Sequence, residues 1–430
     1  FSLWWIGMGY DYWMYRGDEA YLKTLLPAYR TILAWYEQWL KPDHTLGYVP
    51  YWFFADWAEG FPNGEPVREK DGNSALQDLM YLLTLESVVK MEKAFGLPAM
   101  GEHYAKIASA VKVAIRKKYW DVSRGLFADT YKHNSFSQHV NSLAVLAGVI
   151  TGDEARQVMH SVLTGIDLIQ VTIYFRYYLN QALNKAGLGD ELLEHLGVWK
   201  EQMALGLTTW AERPEPSRSD CHAWGASPNI EFYRVVLGID SDAPGFGKVR
   251  IAPNLGTLKK VSGTVPHPLG DIAVNYEVDK KGKLIATVDL PENIKGTFVW
   301  KGQNYPLVSG HQAFTINQQA SAGQRKYYVS SSTGDDSNDG LTPKRAFKTL
   351  AKASQLRLFP GDSLLLRAGD IWLKESLFPV GSGRPENPIV ISSYGKGARP
   401  HIKPGHDAIY GIRIVNDAGY KIKGLEVSDC

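Results

Sequence analysis

EAYLKTLLPAYRTILAWYEQWL, residues 19–40, sets its apolar side chains three and four positions apart, the spacing of one face of an α-helix. Asp18 stands before it as a helix-starting residue, and Gly17 stops the segment before that. Working outward, residues 1–16, FSLWWIGMGYDYWMYR, are apolar and aromatic nearly all round. Similar segments follow at about 74–93, 101–119, 135–149, 153–163, 168–186, 190–204 and 228–237. The last has Ser227 at its cap, Pro228 in its first turn and Gly238 past its end. With a short helix near Cys221, about nine helices are expected, several apolar on more than one face, as when helices pack in two layers. The spacing predicts a helical part over residues 1–242. A toroid of paired helices fits it better than a small bundle, and an irregular all-α domain is the alternative.

From residue 243 the pattern changes to short alternating segments such as KVRIAP, GDIAVNYEV, KLIATVDLP and KGTFVWKG, separated by Gly, Pro and Asn turns. They predict a small antiparallel β-sandwich over 243–317. A polar, small-residue linker follows at 318–326. Residues 327–430 open with YYVSSSTGDDSNDGLTPKRAFKTLAKA and continue in strands such as SLLLR, PIVISSYG and YKIKGLEV. These read as the first rungs of a parallel β-solenoid, whose rungs need about three neighbouring repeats to bury their faces.

The whole chain has 430 residues, 44% hydrophobic and 21% charged, which excludes wholesale disorder. Its net charge of +2 hides a split. Residues 1–242 carry 22 Lys+Arg against 29 Asp+Glu, and 243–430 carry 25 against 16. Eleven of the thirteen tryptophans precede residue 225, so the aromatic chemistry sits in the helical part. Two cysteines, Cys221 and Cys430, make no disulfide framework, and no CxxC pair suggests zinc. No apolar run of about 18 residues predicts a membrane span. There is neither a P-loop nor an HExxH motif, and the basic surplus lies in strand-rich segments without a nucleic-acid motif, so nucleic acid is not an expected partner. Both ends fall inside an apolar or strand pattern, so the chain reads as cut from a longer protein from which an export signal could have been lost.

Two segments concentrate the remaining chemistry. In YWFFADW, residues 51–57, Trp52 and Trp57 offer faces on which sugar rings can stack, and Asp56 a carboxylate for hydroxyls. An aromatic plug sealing two helix pairs explains the same residues. In GLTTWAERPEPSRSDCHAWGASPNIEF, residues 206–232, Trp210, Glu212, Arg218, Asp220, His222 and Trp224 share a loop before a helix start. A carboxylate between tryptophans suits a general base, because partial desolvation raises its basicity. The plain alternative for Glu212 is a solvent-facing loop charge. Asp335, Asp336 and Asp339 could hold calcium through oxygen ligands or form a solvated turn; no other metal or cofactor is expected.

TTWAE, the following SRSDCHAW and ASP, and APGFGKVRIAPNLGTLKKVSGTVPHPLGDIAVNYEV together resemble the catalytic toroid and C-terminal sandwich of glycoside hydrolase family 78, the bacterial inverting α-L-rhamnosidases. The resemblance covers about residues 1–317. It implies an incomplete (α/α)6 toroid followed by a β-sandwich, a carbohydrate substrate, and a secreted or periplasmic location. The family's general base maps onto Glu212, although Ala211 separates it from Trp210 where many relatives have Trp-Glu adjacent. His222 matches a histidine of the sugar site, and Asp56 and Trp57 match the substrate-pocket loop. The general acid of the family belongs to a segment of the form D-x-x-x-R-[DE]-x-x-x-W, which does not occur in this sequence. About three helices of the toroid, and the acid with them, are therefore expected upstream. Residues 327–430 are similar to the start of right-handed parallel β-helix proteins of the pectate-lyase type, truncated after the first rungs. Joined to a rhamnosidase, this unit points to rhamnogalacturonan as substrate. Two rival readings are another helical-toroid hydrolase or lyase acting on uronides, and a non-catalytic carbohydrate-binding module.

Overall fold

The computed structural model describes residues 1–165, 167–279, 283–316, 325–356, 358–383, 387–405, 408, 410–414 and 417–429. It contains two compact units, residues 1–279 with 285–315 and residues 316–430 with 280–284. Most of the expected linker, residues 318–324, and Cys430 lie outside the described residues.

Helix α1 (Ser2–Arg16) ends where Gly17 takes φ 70° and its N–H donates to the Trp13 carbonyl at 2.9 Å. A Cβ there would lie 2.8 Å from Gly245 Cα, so glycine is needed for both conformation and contact. Asp18 then accepts from the Tyr21 N–H at 3.0 Å and starts α2 (Glu19–Glu37), which buries Leu22, Leu26, Tyr29, Leu33 and Tyr36. Helix α3 (Ala75–Phe95) is buried on nearly every side, and α4 (Pro98–Tyr119) returns along it with Pro98 in its first turn. Arg30 on α2 grips buried Glu92 on α3 through two hydrogen bonds of 2.7 and 2.8 Å. Asp78, wholly enclosed on α3, accepts from the Leu46 N–H at 2.7 Å and the Tyr119 hydroxyl, and burial pushes its carboxyl up to about 7.

A two-strand hairpin, β1 (Trp120–Asp121) and β2 (Leu126–Phe127), leads to α5 (Gln138–Leu146), capped by the Ser137 hydroxyl, and to α6 (Gly152–Thr164), α7 (Arg176–Lys185), α8 (Gly197–Ala204) and α9 (Ser227–Glu231). Odd-numbered helices pack in succession, α1 on α3, α3 on α5, α5 on α7 and α7 on α9, while α2, α4 and α6 pack on their outer side. This is an arc of an α/α toroid with an inner and an outer layer.

Four helical expectations need correction. Over 228–237 the regular helix ends at Glu231 and Phe232–Val236 continue as a π turn, with Ala226 instead of Ser227 at the cap. The helix expected from residue 168 begins only at Arg176. Residues 168–175 run mainly as non-helical chain, with the Ile169 N–H on the Phe136 carbonyl at 2.9 Å and the Gln138 N–H on the Ile169 carbonyl at 3.0 Å. The β-branched residues Ile169, Val171, Thr172 and Ile173 favour that course over a helix. The helix expected over 190–204 is split into a 3-10 turn, Gly189–His195, and α8. The helix near Cys221 is a single 3-10 turn, Ala223–Ala226.

The sheet part begins earlier than residue 243, because β3 (Ile239–Ser241) already pairs with β4 (Lys248–Ile251). Gly238, at φ 73°, makes the passage; a Cβ on it would lie 2.1 Å from the Ala252 carbonyl carbon. Strands β5 (Lys260–His267), β6 (Gly270–Val278), β7 (Leu284–Leu290), β8 (Lys295–Trp300), β9 (Gln303–Leu307) and β10 (Gly310–Ile316) complete two sheets of order β10-β7-β6-β5 and β3-β4-β8-β9. The alternation places Ile272, Val274, Tyr276, Ala286, Val288 and Phe298 in the core. The sandwich is not wholly antiparallel, since β4 and β8 pair in parallel from Lys248↔Lys295.

The second unit contains β11 (Lys326–Val329), α10 (Leu350–Ala353), β12 (Ser363–Arg367), β13 (Ile371–Leu373), β14 (Ile389–Tyr394), β15 (His401–Lys403), β16 (Tyr420–Ile422) and β17 (Glu426–Val427). They form two parallel sheets, β11-β12-β14-β16 and β13-β15-β17, over a core including Leu364, Leu366, Trp372, Ile391 and Ile402. The three loop aspartates are engaged by their own surroundings. Asp335 accepts from the Ser337 N–H and hydroxyl, Asp336 from the Lys348 and Thr349 N–H groups, and Asp339 from the Leu341 N–H while pairing with Arg345. Among the described residues no group of three His, Cys, Asp or Glu side chains is placed to hold a metal ion.

Candidate active site

The loop after α8 is closed on itself before it presents any side chain. The Glu212 N–H donates to the Ser219 carbonyl at 2.8 Å and the His222 N–H to the Trp210 carbonyl at 2.8 Å. The Ala211 N–H reaches Gln202 Oε1 on α8 at 2.9 Å. Two indoles brace the far side, Trp199 Nε1 donating to the Gly225 carbonyl and Trp224 Nε1 to the Glu212 carbonyl, both at 2.7 Å. Gly225 is required for this closure, because a Cβ there would sit 2.5 Å from Trp210 Cβ.

Glu212, 3% exposed, is held at its carboxylate from two sides. Trp57 Nε1 donates to Oε1 at 3.1 Å, and Arg218 grips both oxygens, with Nε on Oε2 at 3.1 Å. The Arg218 guanidinium also lies over the Trp57 ring at 4.9 Å. Arg218 holds the Glu212 carboxyl below the usual carboxylate range. That corrects the expectation of a base made stronger by desolvation: the ion pair outweighs the burial.

Around this pair lies an aromatic cluster. Phe54 lies 5.1 Å from Trp57 and 5.7 Å from Tyr174, and stacks on Trp224 at 6.0 Å with 10° between planes. His222 lies 4.4 Å from Trp224. Trp57, Glu212, His222 and Trp224 are thus brought together through this cluster. Trp210 belongs to the packing beneath, with Ile173, Trp199 and Ala211. Trp52 stands at the edge, its indole N–H on the Asn63 carbonyl at 2.9 Å and its ring 5.4 Å from Phe54.

Asp56 is not where a sugar hydroxyl could reach it. Its side chain is 0% exposed and accepts from the Trp57 N–H at 2.9 Å, the Thr172 N–H at 2.7 Å, the Thr172 hydroxyl, and His139 Nε2 at 2.8 Å. It therefore fixes the backbone of Trp57 from below. His139, Thr172 and Tyr174 carry no local mark of this role, because each meets Asp56 or the aromatic cluster only through tertiary packing, and Phe54 is not set apart from its neighbours within YWFFADW. Arg218 was visible within the loop, but nothing in its spacing marked it as the partner of Glu212. Beside Trp57, a cleft of about 770 Å³ runs between residues 167–172 and the Arg213–Pro216 turn.

The model of the bacterial alpha-L-rhamnosidase 6 hairpin glycosidase domain matches residues 3–236, over half of the chain. The chain belongs to this family. The bacterial alpha-L-rhamnosidase C-terminal domain follows at residues 238–314, in agreement with the strand passage at Gly238. An alpha-L-rhamnosidase of Alteromonas sp. (strain LOR) is 23% identical over 314 residues, covering 67% of this chain and 33% of that protein. A GH78 family rhamnosidase of Bacillus sp. GL1 has the same fold, with TM-score 0.61 and 24% identity over 69% of this chain and 32% of that one. The alpha-L-rhamnosidase of Dictyoglumus thermophilum aligns with TM-score 0.59 and 18% identity, over 74% of this chain and 39% of that one. The chain thus spans about a third of the length of these rhamnosidases. A stretch of 72 residues is also 40% identical to a lacto-N-biosidase of Bifidobacterium longum, covering 16% of this chain and 4% of that protein. No described helix is long and apolar enough to cross a membrane.

Proposed function

We propose that this chain carries the base-bearing part of an inverting α-L-rhamnosidase, with Glu212 as the general base. One observation supports this above others: the buried Glu212 carboxylate, oriented by Trp57 Nε1 and Arg218, with its backbone carbonyl braced by Trp224 Nε1, stands in the loop of a rhamnosidase-family toroid. Glu212 takes a proton from water as the water oxygen bonds to the anomeric carbon of a terminal α-L-rhamnose. The glycosidic C–O bond breaks and its oxygen receives a proton from an acid on the opposite face. That acid is assigned to a segment outside these 430 residues, since the acid motif is absent from the sequence. Trp57, His222 and Trp224 form the sugar-facing wall.

Leaving-group chemistry tests this division. A 2,4-dinitrophenolate departs without a proton, whereas an alkoxide does not. The chain is expected to hydrolyse 2,4-dinitrophenyl α-L-rhamnoside and to leave methyl α-L-rhamnoside nearly intact. Turnover of the methyl glycoside would overturn the assignment of the acid, and inertness toward both would overturn the reading of Glu212.

Arg218 sets the pH range of this base. Because the guanidinium stabilises the ionised Glu212, Arg218→Ala raises the carboxyl's pKa. The acid limb of kcat/KM on the dinitrophenyl substrate is then expected at higher pH than in the wild type. An unmoved limb would mean that the ion pair is absent in the reacting state.

The parallel ladders of residues 326–427 support reading the second unit as the first coils of a right-handed parallel β-helix of the pectate-lyase type. With the basic surplus of that half, this favours an acidic plant polysaccharide such as rhamnogalacturonan, met outside the cell or in the periplasm.

A further inference from the structure

Residues 48–52 display three large rings to solvent: Tyr48 is 61% exposed, Tyr51 84% and Trp52 57%. They line a cleft of about 490 Å³ whose remaining wall is Glu65, Arg68 and Glu69. This cleft is separate from the Glu212 carboxylate and is linked to the aromatic cluster beside it by ring contacts, since Trp52 meets Phe54, and Phe54 meets both Trp57 and Trp224.

The backbone and rim around these rings are held by several contacts. Trp52 is anchored by its N–H on the Asn63 carbonyl, and the Phe53 N–H donates to Glu65 Oε1 at 3.0 Å. Arg68 pairs with Glu65, and Glu69 pairs with Lys132 while accepting from the Thr130 hydroxyl at 2.9 Å. Gly72 packs so closely beneath Tyr48 that a Cβ on it would lie 2.2 Å from Tyr48 Cα. Tyr51 itself sits at φ 72°, a left-handed conformation that a bulky residue rarely adopts and that turns this exposed ring out of the regular chain course.

We propose that Tyr48, Tyr51 and Trp52 form a stacking platform for a pyranose unit of the same glycan chain, one or more residues away from the rhamnose at Glu212. The apolar C–H face of a pyranose fits an exposed aromatic face, of which Trp52 is anchored, and its hydroxyls find acceptors and donors in the Glu65, Arg68 and Glu69 rim. The proposal deepens the rhamnosidase reading and rests on it for the identity of the chain. Its consequence is a preference for oligosaccharides over small rhamnosides.

Calorimetric titration of the full 430-residue chain with L-rhamnose and with a rhamnose-terminated rhamnogalacturonan oligosaccharide tests this. The wild type is expected to bind the oligosaccharide at least about tenfold more tightly, a difference of about 1.4 kcal/mol. In Tyr51→Gly, which removes the ring and suits φ 72°, and in Tyr48→Ser, that advantage is expected to fall to less than about threefold, with L-rhamnose affinity retained. If L-rhamnose binds and both variants hold the oligosaccharide as tightly as the wild type, the platform is overturned and the Glu212 reading stands. If the oligosaccharide binds through Tyr51 while L-rhamnose does not bind, the platform stands and the Glu212 reading falls. Binding of neither sugar overturns both.

Discussion

Glu212→Gln is expected to lower the turnover of 2,4-dinitrophenyl α-L-rhamnoside by about 10²–10⁴-fold, the usual contribution of a positioned general base. Glutamine preserves the shape of the side chain and leaves an oxygen for the Trp57 indole N–H, so the loop should stay closed. What it removes is the site that receives the water proton. KM should change far less than kcat, because Trp57, His222 and Trp224, proposed to face the sugar, are left intact. Retained kcat would return Glu212 to the role of a structural loop charge tied to Arg218.

The largest stability effect is expected at Asp56. Removing the acceptor of buried hydrogen bonds typically costs about 1–3 kcal/mol for each donor left unsatisfied, and Asp56 serves several. Asp56→Ala leaves His139 Nε2, the Thr172 N–H and hydroxyl, and the Trp57 N–H without their acceptor, all at buried or part-buried positions. His139 Nδ1 has no hydrogen-bond partner among the described residues, so Asp56 supplies the hydrogen bond that orients the imidazole between Phe61 and Phe175. Urea unfolding followed by tryptophan fluorescence reports on this region, because eleven of the thirteen tryptophans precede residue 225. The transition should move to lower urea by an amount corresponding to that loss. Asp56→Asn, which keeps one carbonyl oxygen for Trp57 and Thr172, should lose less. An unchanged midpoint in Asp56→Ala would show that the hub does not hold the loop.

Local signals in the sequence carried most of the fold. Gly17 and Asp18 act as the stop and start expected of them, and the three-and-four spacing of residues 19–40 matches the buried face of α2. Strand alternation in β6 likewise matches its burial, with Ile272, Val274 and Tyr276 inward. Spacing failed over residues 168–175, where apolar residues satisfy a helical pattern but the backbone finds partners at Phe136, Gln138 and Asp56 instead. Those partners are distant in sequence and leave no local mark. The parallel pairing of β4 with β8 was hidden for the same reason: alternation gives a strand's faces but not its neighbour. In the candidate site, the density of Trp, Glu and His is what singles out the loop around Glu212 in the sequence. Asp56 is ambiguous in the sequence, because a carboxylate among aromatics suits a sugar pocket and a buried hub equally well, and only its contacts with His139 and Thr172 distinguish them.

The central claim, that Glu212 activates the attacking water, is tested most directly with azide. Glu212→Ala opens space for a small anion that needs no deprotonation, so azide should restore turnover of 2,4-dinitrophenyl α-L-rhamnoside and the product should be β-L-rhamnosyl azide, read by proton NMR. Full activity of Glu212→Ala without azide, or an azide product of retained α configuration, would contradict the account.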